Sequence, residues 1–188
     1  MTYFNDYLRE CADLVSDLDV DVLERMVTLL CELRERHGRL FILGVGGSAA
    51  NASHAVNDFR KICGIEAYAP TDNVAELTAW TNDEGWRWSF RQWLVESRLS
   101  PKDVVLVLSV GGGSRDASPN LVEALDWASR CPTTILGIVG RNGGATAHMA
   151  HACIVIPPKF PDRITPHTES LQAVVWHALV NHPLLRQA

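Results

Sequence analysis

The sequence predicts an α/β fold: a three-layer α/β/α sandwich around a five-stranded parallel sheet, preceded by two helices. Apolar segments of strand length alternate with longer segments of helical period, which is the pattern of a parallel sheet covered on both faces. Loops rich in glycine and serine follow two of the strands, where such sheets bind ligands. With 188 residues, 47% of them hydrophobic, the chain is long enough for one domain with a sizeable core.

Residues 1–37 are expected to form a pair of amphipathic helices ahead of an α/β core of residues 38–188. Apolar residues recur at helical spacing over residues 3–15 and again over residues 20–37. Asp19 or Asp21 is suited to cap the second helix. Two such helices exceed what one sheet face requires, so we expect them to pack on the core and on another subunit, with packing on the core alone as the alternative.

Five short apolar segments are predicted to be the strands of the sheet, because they are too short for helices and are bounded by turn residues. They cover residues 40–45, 66–69, 103–109, 133–139 and 152–156. The helices predicted after them cover residues 49–61, 74–81 (a short helix or turn), 86–97, 119–129 and 167–180, with a polar loop at 82–85.

The turn after the first strand is the feature around which the chain is organised. Its sequence is Gly44-Val45-Gly46-Gly47-Ser48, directly ahead of a helix. Glycines let a ligand approach the backbone, and the free N–H groups and positive dipole end of a helix favour an anion. The turn lacks the residues of a Walker A loop and of a dinucleotide fingerprint. It predicts a bound phosphate or other anionic group, with a ligand-free tight turn as the alternative.

A second loop rich in glycine and serine follows the third strand. It runs from Ser109 through Gly111 and Ser114 to Ser118, the expected N-cap of a helix that begins at Pro119. Because the carboxyl ends of parallel strands meet at one edge of a sheet, the two loops together predict a crevice for a small anionic ligand.

Two helices each carry one histidine and one carboxylate. His54 and Asp58 are four residues apart and Glu169 and His177 are eight apart, so each pair lies on nearly one helix face. If they converge, they would suit zinc or another divalent ion, and equally acid/base chemistry. The alternative is a buried, satisfied His177 and a Glu169 favoured by the helix dipole. His167 is expected at the rim of the site.

Composition argues against several classes of partner. The net charge is −5 and no cluster of Lys and Arg is found, so nucleic acid is not expected. No apolar segment approaches the roughly 20 residues of a membrane span, so no membrane partner is expected. The five cysteines contain no C-x-x-C motif, which predicts reduced thiols and a cytoplasmic location.

Together these motifs resemble the sugar isomerase (SIS) domain family, and within it the isomerases of sedoheptulose 7-phosphate. The residues that carry the resemblance are the two glycine loops, the pair His54 and Asp58, the Asn82-Asp83 dipeptide and His177. The resemblance covers nearly the whole chain. It implies a flavodoxin-like sheet, a homotetramer whose active sites borrow residues from neighbouring subunits, and interconversion of an aldose and a ketose phosphate.

The resemblance also implies roles for individual residues. Asp58 matches the proposed general base and His177 the proposed acid, and with His54 and Glu169 they would hold one Zn²⁺ per subunit. The residues implied to bind the sugar phosphate are Gly46, Gly47, Ser48, Asn82, Asp83, Ser109, Gly111, Ser114, Ser118 and Glu169. Whether Asp58 acts as base or as ligand, and whether Ser114 or Ser118 binds the phosphate, stays open.

The chain departs from the family pattern in both loops and in two site residues. Val45 replaces an asparagine, Asp58 a glutamate and Glu169 a glutamine, and residues 109–114 read SVGGGS where the family usually has STSGNS. The altered loops favour a second hypothesis, a non-catalytic SIS module that binds a phosphosugar or a protein partner such as a regulator of replication initiation. The retained imidazoles and carboxylate favour the isomerase, because a binding module has no need of them.

Overall fold

The computed structural model describes residues 2–187 and contains the five strands that the sequence predicts. They are β1 (Leu40–Gly44), β2 (Ala67–Tyr68), β3 (Val104–Ser109), β4 (Thr134–Val139) and β5 (Ala152–Val155). All four pairings are parallel, in the order β2-β1-β3-β4-β5. The chain therefore leaves β1 towards one edge of the sheet and returns to β3 on the other side of β1, which opens a crevice between the carboxyl ends of β1 and β3.

Eight α-helices accompany the sheet in the described part of the chain. They are α1 (Tyr3–Ser16), α2 (Val20–Glu35), α3 (Gly47–Cys63), α4 (Val74–Asp83), α5 (Ser89–Glu96), α6 (Pro119–Arg130), α7 (Gly144–Met149) and α8 (Ile164–Asn181). Short 3-10 turns at Pro70–Asp72 and Pro161–Arg163 precede α4 and α8. None of the helices within residues 2–187 has both the length and the apolar character needed to cross a membrane.

Alternating side chains of the central strands build two separate cores. Leu40 and Ile42 of β1 pack with α2, α3 and α8 on one face, whereas Phe41 and Leu43 pack with α5 and α6 on the other. Both faces of β1 are therefore shielded from water, which explains why the strand has no polar side chain between Leu40 and Leu43. Each large apolar side chain buried in this way stabilises the fold by about 1.5–3 kcal/mol relative to its exposure. The three-layer sandwich predicted from the sequence is confirmed.

The two leading helices differ in how they use their apolar faces. Leu30 and Leu33 of α2 are fully buried in the core. Leu14 of α1 also reaches the core, but Phe4 and Leu8 remain 73% and 66% exposed in the single chain. The predicted packing on the core is confirmed, and contact with another subunit stays a prediction.

Differences from the predicted elements have local causes. Of the two predicted caps of α2, Asp19 accepts a hydrogen bond from the amide of Val22 at 3.1 Å, whereas Asp21 lies in the first turn of the helix. The predicted polar loop at 82–85 is wrong in its first half, because α4 continues to Asp83 and stops only before Gly85, whose φ is +90°. The short helix α7 was not predicted, since its six residues begin with glycine and carry no clear apolar period.

Candidate functional site

A cavity of about 620 Å³ lies at the carboxyl ends of β1 and β3, where the sheet order predicts a ligand. Five of the residues predicted to bind substrate line it: Ser48, Ser109, Gly111, Ser114 and Ser118. The remaining lining residues are Val45, Val110, Gly113, Ala117, Arg141, Asn142 and Thr165. The volume falls in the range of pockets for small molecules.

The first glycine turn shapes this cavity at the start of α3. A side chain at Gly44 would place its Cβ 2.3 Å from the carbonyl oxygen of Ser48, so only glycine lets the helix begin so close to the strand. Gly46 adopts φ +63° and precedes the first residue of α3, Gly47. Ser48 is 1% exposed, and its place in the first turn of α3 brings it to the cavity wall.

The second loop is held in place by its own side chains and by α7. The Ser109 hydroxyl accepts a hydrogen bond from the amide of Gly112 at 3.0 Å. The Thr146 hydroxyl and amide donate to the carbonyl oxygen of Gly112, at 2.7 and 2.9 Å. A Cβ at Gly112 would lie 1.9 Å from the carbonyl oxygen of Gly143, and its φ is +68°. The loop therefore needs glycine at this position, and these hydrogen bonds connect it to α7 without a ligand.

The two candidate phosphate-binding serines are placed differently. Ser114 is exposed, and its hydroxyl accepts from the amide of Ala117 at 3.1 Å. Ser118 as N-cap of α6 and Pro119 at the first helical position are both confirmed, although the Ser118 side chain makes no capping hydrogen bond. Both line the cavity, and the start of α6 adds amide groups suited to an anion.

Three polar lining residues were not predicted: Arg141, Asn142 and Thr165. Arg141 follows β4 and has φ +52°, an uncommon backbone conformation for a residue with a side chain. Its Cδ lies 4.0 Å from the position of a Cβ at Gly111, so it brings positive charge to the serine loop. The loop after β4 also lies at the carboxyl end of a parallel strand. The reasoning that predicted a ligand site after β1 and β3 therefore also applies to Arg141 and Asn142. Thr165 was missed because α8 begins at Ile164, three residues before the predicted start.

A second cluster lies where α3 and α8 pack together. One ligand atom from each of His54, Asp58 and His177 lies within 4.8 Å of the others. The Asp58 Oδ2 is 3.8 Å from Nε2 of His54 and 3.7 Å from Nε2 of His177. These separations are too long for hydrogen bonds. They are near the spacing of about 3.3 Å between two ligands that each lie about 2.0–2.1 Å from a tetrahedral zinc.

Neighbouring groups orient two of the three side chains. The carbonyl oxygen of Ala173 is 2.8 Å from Nδ1 of His177, and because a carbonyl only accepts, Nδ1–H donates and the neutral ring keeps a lone pair on Nε2. Asn57 donates to the other carboxylate oxygen of Asp58 at 2.9 Å. Lone pairs of an imidazole and a carboxylate that face each other repel unless a cation or proton lies between them. The donor set therefore fits a divalent ion such as zinc.

Glu169, the fourth predicted ligand, does not join this cluster. A Cβ at Gly47 would lie 2.5 Å from Oε2 of Glu169, which places the carboxylate at the start of α3, beside the cavity. Eight residues separate Glu169 from His177, or about 12 Å along a helix. A shared helix face is not a shared height, so Glu169 lies outside the three-residue cluster of the single chain. Three candidate metal ligands therefore lie together within residues 2–187, and Glu169 as a fourth ligand stays a prediction.

Asn82 and Asp83 also lie apart from the cavity. Both are exposed at the end of α4, where the Asn82 amide donates to Oδ1 of Asp83 at 2.8 Å. Neither lines the 620 Å³ cavity in the single chain. Their predicted contact with the sugar would require a neighbouring subunit or a movement of α4.

Comparison with known proteins agrees with this architecture. The sequence pattern of the SIS domain matches residues 3–140. The lincomycin biosynthesis protein LmbN of Streptomyces lincolnensis is 32% identical over 92% of this chain, which spans 65% of that protein. A phosphoheptose isomerase of Syntrophotalea carbinolica is 31% identical over 94% of this chain and 87% of its own.

A solved structure shares the fold. Phosphoheptose isomerase GmhA from Neisseria gonorrhoeae superposes with a TM-score of 0.80 at 24% identity, over 95% of this chain and 93% of that chain. The parallel five-stranded sheet with two leading helices is thus the SIS fold. From the match over residues 3–140 and the identity to its relatives, the chain belongs to the SIS domain family.

Proposed function

We propose that this protein is an aldose–ketose isomerase that acts on a sugar phosphate. The observation that carries the proposal is the cavity at the β1/β3 crevice, where serine hydroxyls, the start of α6 and Arg141 converge. Hydroxyl and amide donors beside one guanidinium are the groups that bind a phosphate dianion. The phosphate of the substrate would lie on the loop from Ser109 to Ser118, and its carbon chain would extend outward past Ser48.

The substrate that we propose is sedoheptulose 7-phosphate, converted to D-glycero-D-manno-heptose 7-phosphate for heptose biosynthesis. The support is that relatives with about 30% identity over most of their length are named phosphoheptose isomerase. LmbN, which this chain also resembles, is named for lincomycin biosynthesis. The sugar itself is therefore the part of the proposal that most needs measurement.

We further propose that His54, Asp58 and His177 bind one zinc ion per subunit. When bound, zinc would polarise the sugar carbonyl. Where these groups do not ligate the ion, Asp58 is the proposed base that moves a proton between adjacent carbons through an enediol, and His177 the proposed acid toward the sugar oxygens. The Ala173 carbonyl fixes the ring of His177 for this role, and Asn57 leaves one carboxylate oxygen of Asp58 directed at the cluster.

The separation of cavity and cluster supports an oligomeric enzyme, for which we propose the tetramer implied by the family. Ten residues of α3 separate Ser48 from Asp58, or about 15 Å along the helix. A second subunit that presents its cluster to this cavity would close that gap, and the exposed apolar face of α1 offers a contact surface. A cytoplasmic location is proposed from the five free cysteines.

The test combines turnover, binding and metal content. We expect the full-length protein to convert sedoheptulose 7-phosphate, followed by NMR, and to carry about one zinc per chain by elemental analysis. His177→Ala should lose the zinc and at least about 10²-fold in kcat/KM. His148→Ala is the matched control, because His148 is an exposed histidine of α7. If the metal-loaded protein binds the sugar phosphate by calorimetry but converts none, the isomerase is refuted and the non-catalytic binding module is supported.

A further inference from the structure

His54 is the one side chain of the metal cluster that no hydrogen bond holds in the described part of the chain. Its Nε2 lies 3.8 Å from Oδ2 of Asp58, and 58% of the side chain is exposed. In contrast, the Ala173 carbonyl fixes His177, and Asn57 donates to Asp58. An exposed imidazole without such a partner changes rotamer freely, and a metal that binds it must restrict that freedom. The ring of His54 therefore needs another contact if the cluster is to be ordered before an ion binds.

The indole ring of Trp176 makes this contact. Its centroid lies 4.7 Å from that of His54, and the two ring planes meet at 66°. This is the edge-to-face arrangement that aromatic pairs prefer at separations of about 4.5–7 Å. The same indole also lies against the ring of His177, with centroids 3.5 Å apart. One indole therefore contacts both imidazoles of the cluster.

Trp176 is itself fixed by the core of the protein. Only 1% of the residue is exposed, and it packs with the apolar residues of α2, α3 and α8. Side chains in such a close-packed core occupy one conformation on the time average. The buried indole therefore restricts the exposed ring of His54 that lies against it.

The indole N–H of Trp176 is a cost that packing alone would avoid. Nε1 is buried and has no hydrogen-bond partner within residues 2–187. A buried donor without an acceptor is destabilising, whereas Leu or Phe would fill apolar space without one. What the indole adds at this position is its contact with two imidazoles.

We propose that Trp176 is a positioning residue for the metal site, which holds the imidazole of His54 beside Asp58 and His177 before the ion binds. This inference rests on the zinc site proposed above. An indole offers a donor and no lone pair for a metal, so Trp176 acts through the histidines and not as a ligand. Loss of a neighbour that orients a metal ligand typically lowers metal affinity about 10–100-fold.

The first test needs no variant. It is the side-chain order parameter of each histidine in the metal-free, full-length protein, measured by NMR relaxation. We expect His54 to approach the value of about 0.85 that is typical of rigid backbone, despite its exposure. His148, an exposed histidine of α7, should be more mobile. His167, which was expected at the rim of the site but is 2% exposed and stacks on Tyr7, is the rigid reference. A value below about 0.6 for His54 would overturn the proposal.

The second test is zinc affinity, measured by competition with a chelator in folded variants. Trp176→Leu keeps an apolar side chain but removes the ring, so zinc binding should weaken at least about tenfold. Trp176→Phe restores an aromatic ring and should bind zinc within about threefold of the parent protein. Leu171→Ala is the matched control, because Leu171 is also buried in α8 but lies about 9 Å along the helix before His177. It should lower the midpoint of unfolding in urea and leave zinc affinity unchanged.

The outcomes separate the positioning role from the proposed function. A parent protein that binds no zinc would refute the metal site and the positioning role together. If the parent binds zinc and folded Trp176→Leu binds it equally tightly, the positioning role is refuted while the metal site stands. The same holds if Leu171→Ala weakens zinc binding as much as Trp176→Leu. The order parameter of His54 decides the question if Trp176→Leu does not fold.

Discussion

Arg141 is the residue at which the structure makes its sharpest prediction about ligand binding. It is the one cationic side chain among the residues that line the 620 Å³ cavity, and it lies beside Gly111 of the serine loop. The perturbation is Arg141→Ala. The variant removes a positive charge from the cavity while the loop itself stays fixed by its hydrogen bonds to α7.

The magnitude follows from the exposure of the side chain. A hydrogen bond to a charged group contributes about 1.5–3 kcal/mol when it is well protected. Arg141 is exposed at the rim, so solvent and salt screen it, and we take the lower limit of about 1.5 kcal/mol. Because about 1.4 kcal/mol corresponds to a factor of ten, the dissociation constant for inorganic phosphate should rise about tenfold.

The assay is calorimetric titration of inorganic phosphate at low and moderate salt. Arg115→Ala is the matched control. Arg115 is also an exposed arginine and lies on the serine loop itself, but it does not line the cavity. Its effect should stay below about threefold. Equal affinity in Arg141→Ala and the parent protein, or a larger loss in Arg115→Ala, would refute the assignment of the phosphate to this cavity.

Three further predictions concern the scaffold. Gly112→Ala should lose more than about tenfold in phosphate affinity by calorimetry, because the new Cβ would lie 1.9 Å from a carbonyl oxygen of the next loop. Asp103→Ala should lower the free energy of unfolding in urea by about 3 kcal/mol, because it leaves Arg39 and two backbone amides without their acceptor. The pKa of Glu10 lies at about 2, below its ordinary 4.5, through its hydrogen bonds with Arg163. Its contribution to stability is therefore complete above pH 4.5 and lost as the pH falls toward 2, so Glu10→Gln should unfold with a weaker pH dependence over that interval.

Each of these predictions has its own control. Gly85→Ala shares a positive φ, +90°, but its Cβ would meet nothing within 4 Å, so equal effects at the two glycines would argue against the close contact at Gly112. Asp13→Ala breaks the exposed ion pair with Lys159 and should cost less than about 1 kcal/mol. Parallel pH profiles of unfolding for Glu10→Gln and the parent protein would contradict the ionised state assigned to Glu10.

Local sequence patterns predicted most of the scaffold because the forces behind them are local. The run of apolar residues in β3 needs burial on both faces, and the glycines at 44, 46 and 47 permit a turn that other residues would block. The five strands, the two leading helices and the position of the ligand crevice followed from these patterns. Elements with weak local signals, such as α7 and the first turn of α8, did not.

The errors at the candidate site come from contacts between elements distant in sequence. Glu169 and His177 share a face of α8, but the packing of α8 along α3 places the first beside Gly47 and the second beside Asp58. Arg141 enters the cavity because β4 lies next to β3 in the sheet. The spacing of residues in a sequence fixes the face of the helix on which a side chain lies. Which residues of a second helix it contacts depends on how the two helices pack along each other.

The sequence by itself determined the fold class, the two glycine loops and the residue types that could bind phosphate and metal. These depend on periodicity, on backbone freedom at glycine and on side-chain chemistry, all of which are carried by short segments. Only the tertiary structure decided which of those residues meet: it assembled His54, Asp58 and His177 and left Glu169 outside that cluster. These side-chain contacts depend on how whole helices pack against one another, which no short sequence pattern encodes.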